Sequence, residues 1–282
     1  MIGLVEVVVG LDADARRMVA ANEANWDARA PIHASSEFYA QPARYWFADY
    51  EWDELGDLTG RDVLHLQCHL GTETIAFAAA GARSVVGLDL SSRSVEEARR
   101  IAAKADADVS YMHADVYDAV DALEGRQFDV VYTGKGALCY LPDLPAWVDV
   151  VRRLLKPGGS LYIVEFHPLL NALGPTPPPD KSQDLLLRND YLEGRGPITR
   201  ESNRTYTGHE VPGKTESYEW MHGLGEVVTA LVAGGLRIKS LRESEVLPWP
   251  RFDAMVETAE GWYRLPDEYP RIPLLFALHA LA

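Results

Sequence analysis

Two carboxylic acids of the sequence follow short β-rich runs. Asp89 comes directly after residues 84–88, and Asp115 comes two residues after the run 109–113. A carboxylate at the end of a strand can accept hydrogen bonds from two adjacent hydroxyl groups, an arrangement that suits the ribose of a nucleoside. Either acid could instead cap the helix that follows it. The pattern therefore leaves two interpretations open, a nucleoside site and a pair of helix caps.

A second group of residues has the chemistry to act on a bound substrate. His167 follows the β-rich run 160–165, and His222 precedes a helical pattern at 224–232. A neutral imidazole at either place can take a proton from an N–H or O–H group, or orient that group. The ring of Tyr39 can pack against a flat molecule. We predict that these three residues are catalytic, with a structural role in the core as the alternative for each.

Three neighbouring residues, His65, Cys68 and His69, belong to the types that bind zinc. They lie at the end of one β-rich run, so their side chains point in different directions, and the sequence offers no evident fourth ligand. We therefore predict no metal site. Cys68 is then expected to pack as a small apolar side chain, and the histidines to form hydrogen bonds within the loop.

Both acids lie inside a segment that alternates β-rich runs with helical patterns. Continuous apolar runs separated by helices are typical of a parallel sheet that is covered by helices on both faces. Ligand sites of such sheets lie at the carboxyl ends of the strands, which is where both acids fall. The β-rich runs of this segment are 62–66, 84–88, 109–113, 128–133 and 160–165. The sequence thus predicts an α/β fold with a doubly wound sheet.

The segments on either side of this region are predicted to cover the carboxyl ends of the strands and to supply the last strands of the sheet. Residues rich in Pro and Gly after the fifth run predict an irregular insert, within which 173–184 is expected to be mobile in the free protein. The helical pattern at 224–232 and two strand-like runs, 236–246 and 272–280, follow. The predicted division of a single domain, 1–282, is a helical lid at 11–50, a core at 61–165, an insert at 166–215 and a C-terminal part at 216–282.

The loop after the first β-rich run, together with four later stretches, resembles the class I S-adenosylmethionine-dependent methyltransferases. The first motif of that family is acidic-x-Gly-x-Gly-x-Gly. His65 stands in the place of the acid, Gln67 and His69 stand in the places of two glycines, and Gly71 matches the third. The other matching stretches, in the order and spacing of the family, are 85–91, 112–117, 128–138 and 154–159.

The resemblance implies a mostly parallel, seven-stranded, Rossmann-like sheet whose last strand is antiparallel. It also implies S-adenosylmethionine as the cofactor, without a metal, with Asp89 at the ribose and Asp115 at the amino group of the adenine. The end of the fourth strand would border the transferable methyl group. The cofactor-binding residues implied in this way are Trp26, Gln67, His69, Gly71, Asp89, Leu90, Asp115, Val116, Thr133 and Gly134.

Three phrases narrow the resemblance to a subgroup of bacterial methyltransferases, several of which tailor secondary metabolites, including indole-containing ones. The phrases are Asn22-x-x-x-Trp26-Asp27, Glu165-Phe166-His167-Pro168 and Glu219-Trp220-x-His222. The expected reaction is methyl transfer to N, C or O of a small aromatic or heterocyclic metabolite. Two interpretations compete with it. One is an NAD-type oxidoreductase, whose pyrophosphate needs a Gly-rich turn that residues 67–69 would crowd. The other is a methyltransferase-like module that binds without catalysing.

The charge of the chain excludes some partners. Its 27 Lys and Arg face 42 Asp and Glu, a net charge of −15, which disfavours nucleic acid and anionic membranes. Residues 1–10 lack the basic start and cleavage site of a signal peptide, and no run has the roughly 18 apolar residues of a membrane span. Two cysteines cannot form a disulfide framework. We expect a cytoplasmic monomer or homodimer whose partner is a small-molecule methyl acceptor.

Overall fold

The structure is a computed structural model that describes residues 11–174 and 184–282. The expectations for residues 1–10 and for most of the segment 173–184 lie outside the described residues. The strands are β1 Asp62–Leu66, β2 Ser84–Asp89, β3 Ser110–His113, β4 Phe128–Gly134, β5 Leu155–Phe166, β6 Ile198–Arg204, β7 Glu210–Glu219, β8 Arg237–Ser244, β9 Val246–Leu247, β10 Val256–Glu257, β11 Tyr263–Arg264 and β12 Leu275–Leu281.

Seven of these strands form one twisted sheet in the order β3-β2-β1-β4-β5-β12-β8. The first five run parallel, whereas β12 runs antiparallel to both of its neighbours. The chain order reverses between β1 and β4, so the carboxyl ends of these strands flank the place where such sheets bind ligands. The predicted mostly parallel sheet with an antiparallel last strand is confirmed.

The central strands are buried on both faces, which explains why the sequence reads as continuous apolar runs there. Along β1, Leu64 and Leu66 pack with Trp147 on one face, while Val63 packs with Phe77 on the other. Helices cover both faces. The helices are α1 Ala13–Ala34, α2 Asp49–Leu55, α3 Thr72–Ala79, α4 Ser92–Lys104, α5 Ala119–Ala122, α6 Leu144–Leu154, α7 Pro168–Ala172 and α8 Leu224–Ala233, with 3-10 turns at Glu37–Ala40, Ala43–Trp46, Val116–Asp118 and Leu138–Tyr140.

The start of β5 differs from the sequence-based expectation. Pro and Gly are typical of turns, so Pro157, Gly158 and Gly159 would be expected to form a turn between α6 and the strand. In the structure α6 ends at Leu154 and β5 begins at once, with a shift of register against β4 that absorbs these residues. The difference is physical: a strand with an irregular start can include a Pro and a Gly of positive φ where the ladder is broken.

The insert also differs from the expectation, because part of it is an antiparallel hairpin formed by β6 and β7. Helix α1 packs along this hairpin and binds its main chain. The Asn22 side chain donates to the carbonyl of Tyr218 at 2.9 Å and accepts from the N–H of Tyr218 at 2.7 Å. Arg29 donates to the carbonyl of Ser202 at 2.9 Å. We call α1 and the β6–β7 hairpin together the cap, since side chains of the helix and main chain of the hairpin form one joint.

The cap is also tied to the core at the start of α4. The carboxylate of Asp27 accepts from the Ser91 hydroxyl at 2.6 Å and from the N–H of Arg93 at 3.0 Å. A carboxylate at this position satisfies an unpaired N–H and interacts favourably with the positive end of the helix. The phrase Asn22-x-x-x-Trp26-Asp27 thus has a structural role, since its first residue binds the hairpin and its last binds the core.

The segment between α1 and α2 docks over the end of β4 through a buried ion pair. The Lys135 ammonium donates to the carbonyl of Trp46 at 2.6 Å and lies 3.7 Å from the carboxylate of Glu51. The Tyr132 hydroxyl donates to the same carboxylate at 3.2 Å. Because buried charges need partners, this arrangement holds the segment against the sheet.

Candidate functional site

The loop that follows β1 keeps a glycine-type backbone where the sequence has lost glycines. Gln67 has φ 55°, His69 has φ 47° and Gly71 has φ 65°. Residues other than glycine rarely adopt this left-handed region, because their Cβ is crowded there. The three positive φ angles fall at the three glycine positions of the methyltransferase motif, so the loop keeps that backbone path despite the two substitutions.

Gly71 has a local reason of its own to be a glycine. A Cβ built at this position would collide with the ring of Tyr111, whose hydroxyl donates to the carbonyl of Gly71 at 3.1 Å. The close approach fixes the loop against the inner edge of β3. Gly71 therefore shapes the site through its backbone.

Asp89 lies at the end of β2, opposite this loop. Its two carboxylate oxygens accept from the N–H of His69 at 2.7 Å and from the N–H of Ser91 at 2.9 Å. Burial raises its pKa to about 6, and these two hydrogen bonds oppose the rise. A carboxylate has about four lone-pair positions, so two remain for hydroxyl groups of a ligand. Ser91, and not Asp89, accepts from the N–H of Ser94 as the cap of α4.

Beside Asp89 a narrow cleft enters the protein. Leu90, Asp115, Val116, Gln67 and Tyr140 are among the residues that line it. Four of these residues were predicted to bind the cofactor. The Asp115 carboxylate also accepts from the N–H of Tyr117 at 3.1 Å and so caps a 3-10 turn, while burial raises its pKa. Asp115 therefore caps the 3-10 turn and also lines the cleft.

The end of β4 lies beside the start of the loop that follows β1. The Thr133 side chain is fully buried, and its hydroxyl donates to the carbonyl of Leu66 at 3.3 Å. A Cβ on Gly134 would collide with the carbonyl oxygen of Val164, so only glycine fits there. The Gln67 amide donates to the carbonyl of Ala137 at 2.9 Å and joins the two loops. Thr133 and Gly134 thus border the site through their backbone, and their contact with a cofactor stays a prediction.

A buried carboxylate that the sequence analysis did not assign to the site holds the loop after β4. Glu165, near the end of β5, accepts from the N–H groups of Gly136, of Ala137 at 2.7 Å and of Leu138 at 2.9 Å. It also accepts from the N–H of Phe166 at 2.6 Å. Burial raises the pKa of Glu165, and these hydrogen bonds oppose that rise. An acid that ends an apolar strand was the signal that could have identified it.

Above the loops, α1 and the hairpin bring together a group of aromatic rings. The Trp26 ring lies 5.0 Å from the His69 ring and 5.5 Å from the Tyr140 ring. The hydroxyls of Tyr39 and Tyr206 are hydrogen-bonded to each other. Tyr206 nevertheless keeps 53% of its surface exposed, so it faces an open space beside the group. We call these rings the aromatic cage; its members are Trp26, His33, Tyr39, His69, Tyr140 and Tyr206.

The structure does not bring His167 or His222 into the cage. His167 caps α7, since its Nδ1 accepts from the N–H of Leu169 at 3.1 Å, and its Nε2 lies 2.9 Å from Glu243. His222 binds the carbonyl of Leu141 at 2.8 Å through Nε2 and the carboxylate of Glu226 at 2.9 Å through Nδ1. Proton transfer at either residue would require one of these bonds to break, so their catalytic role stays a prediction that the observed bonds disfavour.

Among the described residues, the structure shows neither a metal site nor a membrane-spanning helix. Across 11–174 and 184–282, no group of three His, Cys, Asp or Glu side chains is arranged to hold a metal ion. His65 instead binds the Thr74 hydroxyl at 2.9 Å, and Cys68 is buried with Val95 and Tyr111. Within the same ranges, no helix combines the length and the apolar character needed to cross a bilayer.

The sheet order, the antiparallel β12 and the loop opposite Asp89 together define the fold of the class I S-adenosylmethionine-dependent methyltransferases. Residues 63–159 match the family model of a methyltransferase domain. A ubiquinone biosynthesis O-methyltransferase of Alkalilimnicola ehrlichii is 35% identical over 113 residues, which are 40% of this chain and 44% of that protein. The chain therefore spans about half the length of the curated relatives that it matches.

Solved structures share the fold over most of the chain. An S-adenosylmethionine-dependent methyltransferase of Listeria monocytogenes has a TM-score of 0.55 and 24% identity, with 86% of this chain and 99% of that chain covered. A glycopeptide N-methyltransferase in complex with S-adenosylmethionine has a TM-score of 0.52 and 19% identity, with 87% and 96% covered. Identities this low relate the folds alone.

Proposed function

We propose that this protein transfers the methyl group of S-adenosylmethionine to a small molecule. The observation that carries the proposal is the loop at 67–71, which has left-handed backbone at all three glycine positions of the family motif and a main-chain N–H bonded to Asp89. The order of the strands and the methyltransferase-domain match over residues 63–159 support it.

Different residues in and beside the cleft bind different parts of S-adenosylmethionine. Asp89 accepts the ribose hydroxyls with its free lone pairs. Leu90 and Val116 enclose the adenine, and Asp115 accepts from its amino group. The loop at 67–71 surrounds the amino-acid part. S-adenosylmethionine supplies an electrophilic methyl on a sulfonium, and the rings of the aromatic cage are suited to that cation, since a π face attracts positive charge.

Acceleration in this site comes mainly from positioning. The acceptor must approach in line with the bond between sulfur and methyl, from the exposed side of Tyr206. Glu165 serves as a positioning residue because it fixes the loop 136–138 that forms the floor. In the transfer, the acceptor atom forms a bond to the methyl carbon, and the electron pair of the broken bond stays on sulfur.

The acceptor that we propose is a small aromatic or heterocyclic molecule. The cage is lined by aromatic rings and is closed by the hairpin, so a flat molecule fits better than a polymer. The relatives named for ubiquinone biosynthesis methylate oxygen by name, whereas the glycopeptide enzyme methylates nitrogen by name. A role in secondary metabolism, including indole-containing acceptors, remains part of the proposal.

The organisation of the molecule is proposed along the same lines. We infer one domain, with the N-terminal lid and the insert serving as two halves of the cap. We further propose a monomer or homodimer that acts in the cytoplasm on a small-molecule partner, because the net charge of −15 disfavours nucleic acid and anionic membranes.

Calorimetry with S-adenosylhomocysteine and NAD tests the cofactor, and transfer of a labelled methyl group to phenols, amines and indoles tests the reaction. We expect the protein to bind S-adenosylhomocysteine but not NAD, and to transfer the methyl group to at least one of the three acceptor classes. Binding of NAD instead would establish an oxidoreductase. Binding of S-adenosylhomocysteine without transfer to any class would favour the non-catalytic module.

A further inference from the structure

His33 stands out among the rings of the cage because one of its nitrogens has no partner. The side chain is fully buried under the cap. Its Nδ1 lies 2.9 Å from Nε2 of His69, whereas its Nε2 is buried without a hydrogen-bond partner among the described residues. An unsatisfied buried nitrogen costs about 1–3 kcal/mol, so its presence beside the candidate site calls for an explanation.

The surroundings of His33 place that nitrogen beside the candidate ligands. The ring stacks on Tyr39 at 5.7 Å and lies 4.5 Å from the ring of Tyr206, whose other face is open. His69, its hydrogen-bond partner, belongs to the loop that binds Asp89 through its main chain. His33 therefore lies between the cofactor loop and the open acceptor side.

Two protonation patterns satisfy the short chain of bonds. The Nδ1 of His69 lies 2.9 Å from the hydroxyl of Ser94. If His69 donates to Ser94, its Nε2 accepts from the Nδ1–H of His33, and the Nε2 of His33 carries a free lone pair. If Ser94 donates instead, the Nε2 of His33 carries a proton. The first pattern makes His33 a proton acceptor, and the second makes it a donor.

Charge favours the first pattern during methyl transfer. Before transfer, the site holds the positive sulfonium; afterwards, sulfur is neutral and the acceptor carries the positive charge until it loses a proton. If that proton moves to His33, the number of positive charges in the site does not change during the transfer. This balance avoids two neighbouring cations in a region of low dielectric, where their repulsion is strong.

We propose that His33 takes the proton that the acceptor loses, through Nε2, and that His69 positions it. The proposal rests on the proposed methyltransferase function. The acceptor atom forms a bond to the methyl carbon, the sulfur keeps its bonding pair, and the O–H or N–H proton of the acceptor passes to the lone pair of His33. The substrate class is thus an uncharged aromatic molecule whose attacking oxygen or nitrogen carries a proton.

The charged state of the ring before transfer agrees with this role. Burial, followed by the proximity of His69 and Arg29, lowers the pKa of His33 to about 2, and burial lowers the pKa of His69 to about 3. Both rings are therefore neutral at pH 7. So low a pKa makes His33 a weak base, and it takes the proton during the transfer itself, when the acceptor atom gains positive charge and becomes strongly acidic. The groups that face it are Arg29 on α1, Tyr39 after α1, His69 on the loop, and Tyr206 and His209 on the hairpin.

The test compares His33→Gln with a control, Lys239→Gln, whose side chain is exposed on β8 at the far edge of the sheet. Catechol, 4-hydroxybenzoate and indole are the acceptors, and calorimetry measures the affinity for S-adenosylhomocysteine. We expect His33→Gln to lose about 10²- to 10⁴-fold in kcat with its S-adenosylhomocysteine affinity unchanged, and the control to lose nothing. With a phenolic acceptor, the variant rate should rise about tenfold per pH unit towards the phenol pKa near 10, while wild type stays flat.

Several results would overturn the proposal. A variant that loses cofactor affinity but keeps kcat at saturation makes His33 a cofactor ligand. A loss of kcat that is equal at every pH makes its role structural. If wild type transfers no methyl group at all, the proposed function fails separately, and nitrogen-15 NMR of the histidines still decides on His33: a bare Nε2 supports the proposal, and a protonated Nε2 refutes it.

Discussion

The sheet and the cap are stabilised by different forces. The central strands bury apolar side chains on both faces, whereas the buried face of α1 is largely polar, with Asn22, Asn25, Arg29 and His33. Its joint with the hairpin consists of hydrogen bonds from side chains to main chain. A hydrogen bond contributes about 0.5–1.5 kcal/mol net, less than a buried Leu or Phe at about 1.5–3 kcal/mol.

This difference explains how the chain can keep its candidate cofactor site rigid while the cap above it opens. The sheet fixes Asp89 and the loop at 67–71, and a partial opening of the cap leaves them in place. A joint made of hydrogen bonds can be remade after each opening, because both sets of groups can bind water in the meantime. We therefore expect cap opening to admit the acceptor, and the following experiments test the separation between the two regions.

Asp89→Ala should have the largest effect, and it should act on the core alone. Loss of two charge-assisted hydrogen bonds to the ribose, about 1.5–3 kcal/mol each, should weaken S-adenosylhomocysteine binding about 10²- to 10⁴-fold. Calorimetry measures the affinity, and Asp121→Ala, at an exposed site of α5, is the control. Unchanged affinity would remove Asp89 from the ribose site.

Asn22→Ala should weaken the contact between the two parts of the cap, α1 and the hairpin, while leaving the sheet intact. The change leaves the N–H and carbonyl of Tyr218 without their partner, at a cost of about 2–3 kcal/mol. Hydrogen exchange should accelerate in α1 and the hairpin and stay slow in β1 and β4. Ala24→Ser, at an exposed position of the same helix, is the control. Equal acceleration in the central strands would mean that cap and sheet unfold as one unit.

Acid should loosen the cap before it unfolds the sheet. The pKa of His33 in the closed cap, about 2, is below the value of about 6.5 in the open chain, so the open form binds the proton more strongly. Stability of the closed cap is then complete above about pH 6.5 and is lost as the pH falls. At pH 5 the loss is about 2 kcal/mol, or roughly thirtyfold faster exchange in α1 after correction for intrinsic rates. His33→Gln should reduce this dependence to the part that His69, whose pKa burial also lowers, contributes; an unchanged dependence would mean that other groups titrate.

His167→Ala and His222→Ala should have the smallest effects on turnover. Both side chains have partners at both nitrogens, and His167 caps α7, so their loss should cost about 1 kcal/mol of stability each. Thermal unfolding and initial rates measure the two quantities. A hundredfold loss of kcat at unchanged thermal stability would restore the catalytic role that the sequence predicts for them.

The sheet could be predicted from the sequence because strands that are buried on both faces appear as continuous apolar runs. The run predicted at 62–66 is β1 as observed, and β2 and β4 differ by one residue at their ends. The hairpin left no such signal: β6 is Ile-Thr-Arg-Glu-Ser-Asn-Arg, and most of it is exposed. Its position depends on α1, far away in the sequence, so local composition could not predict it.

The site was predictable to the extent that it lies on the sheet. Asp89 and the positions of the loop were found because a family motif marks them. Glu165 and His33 were not assigned, since their roles depend on partners from other elements. The Glu165 carboxylate acts on main-chain N–H groups that any residue carries, and the value of His33 lies in a nitrogen that is left without a partner.

The joint between Asn22 and Tyr218 has a consequence for how the protein matures. The two residues are 196 positions apart, and closing so long a loop is slow and entropically costly compared with pairing of neighbouring strands. Helix α1 leaves the ribosome before any strand of the sheet, and its polar face has no partner until the hairpin has been synthesised. Docking of α1 is therefore expected to be a late step of folding, so a newly made chain can hold the five parallel strands before it can hold a substrate.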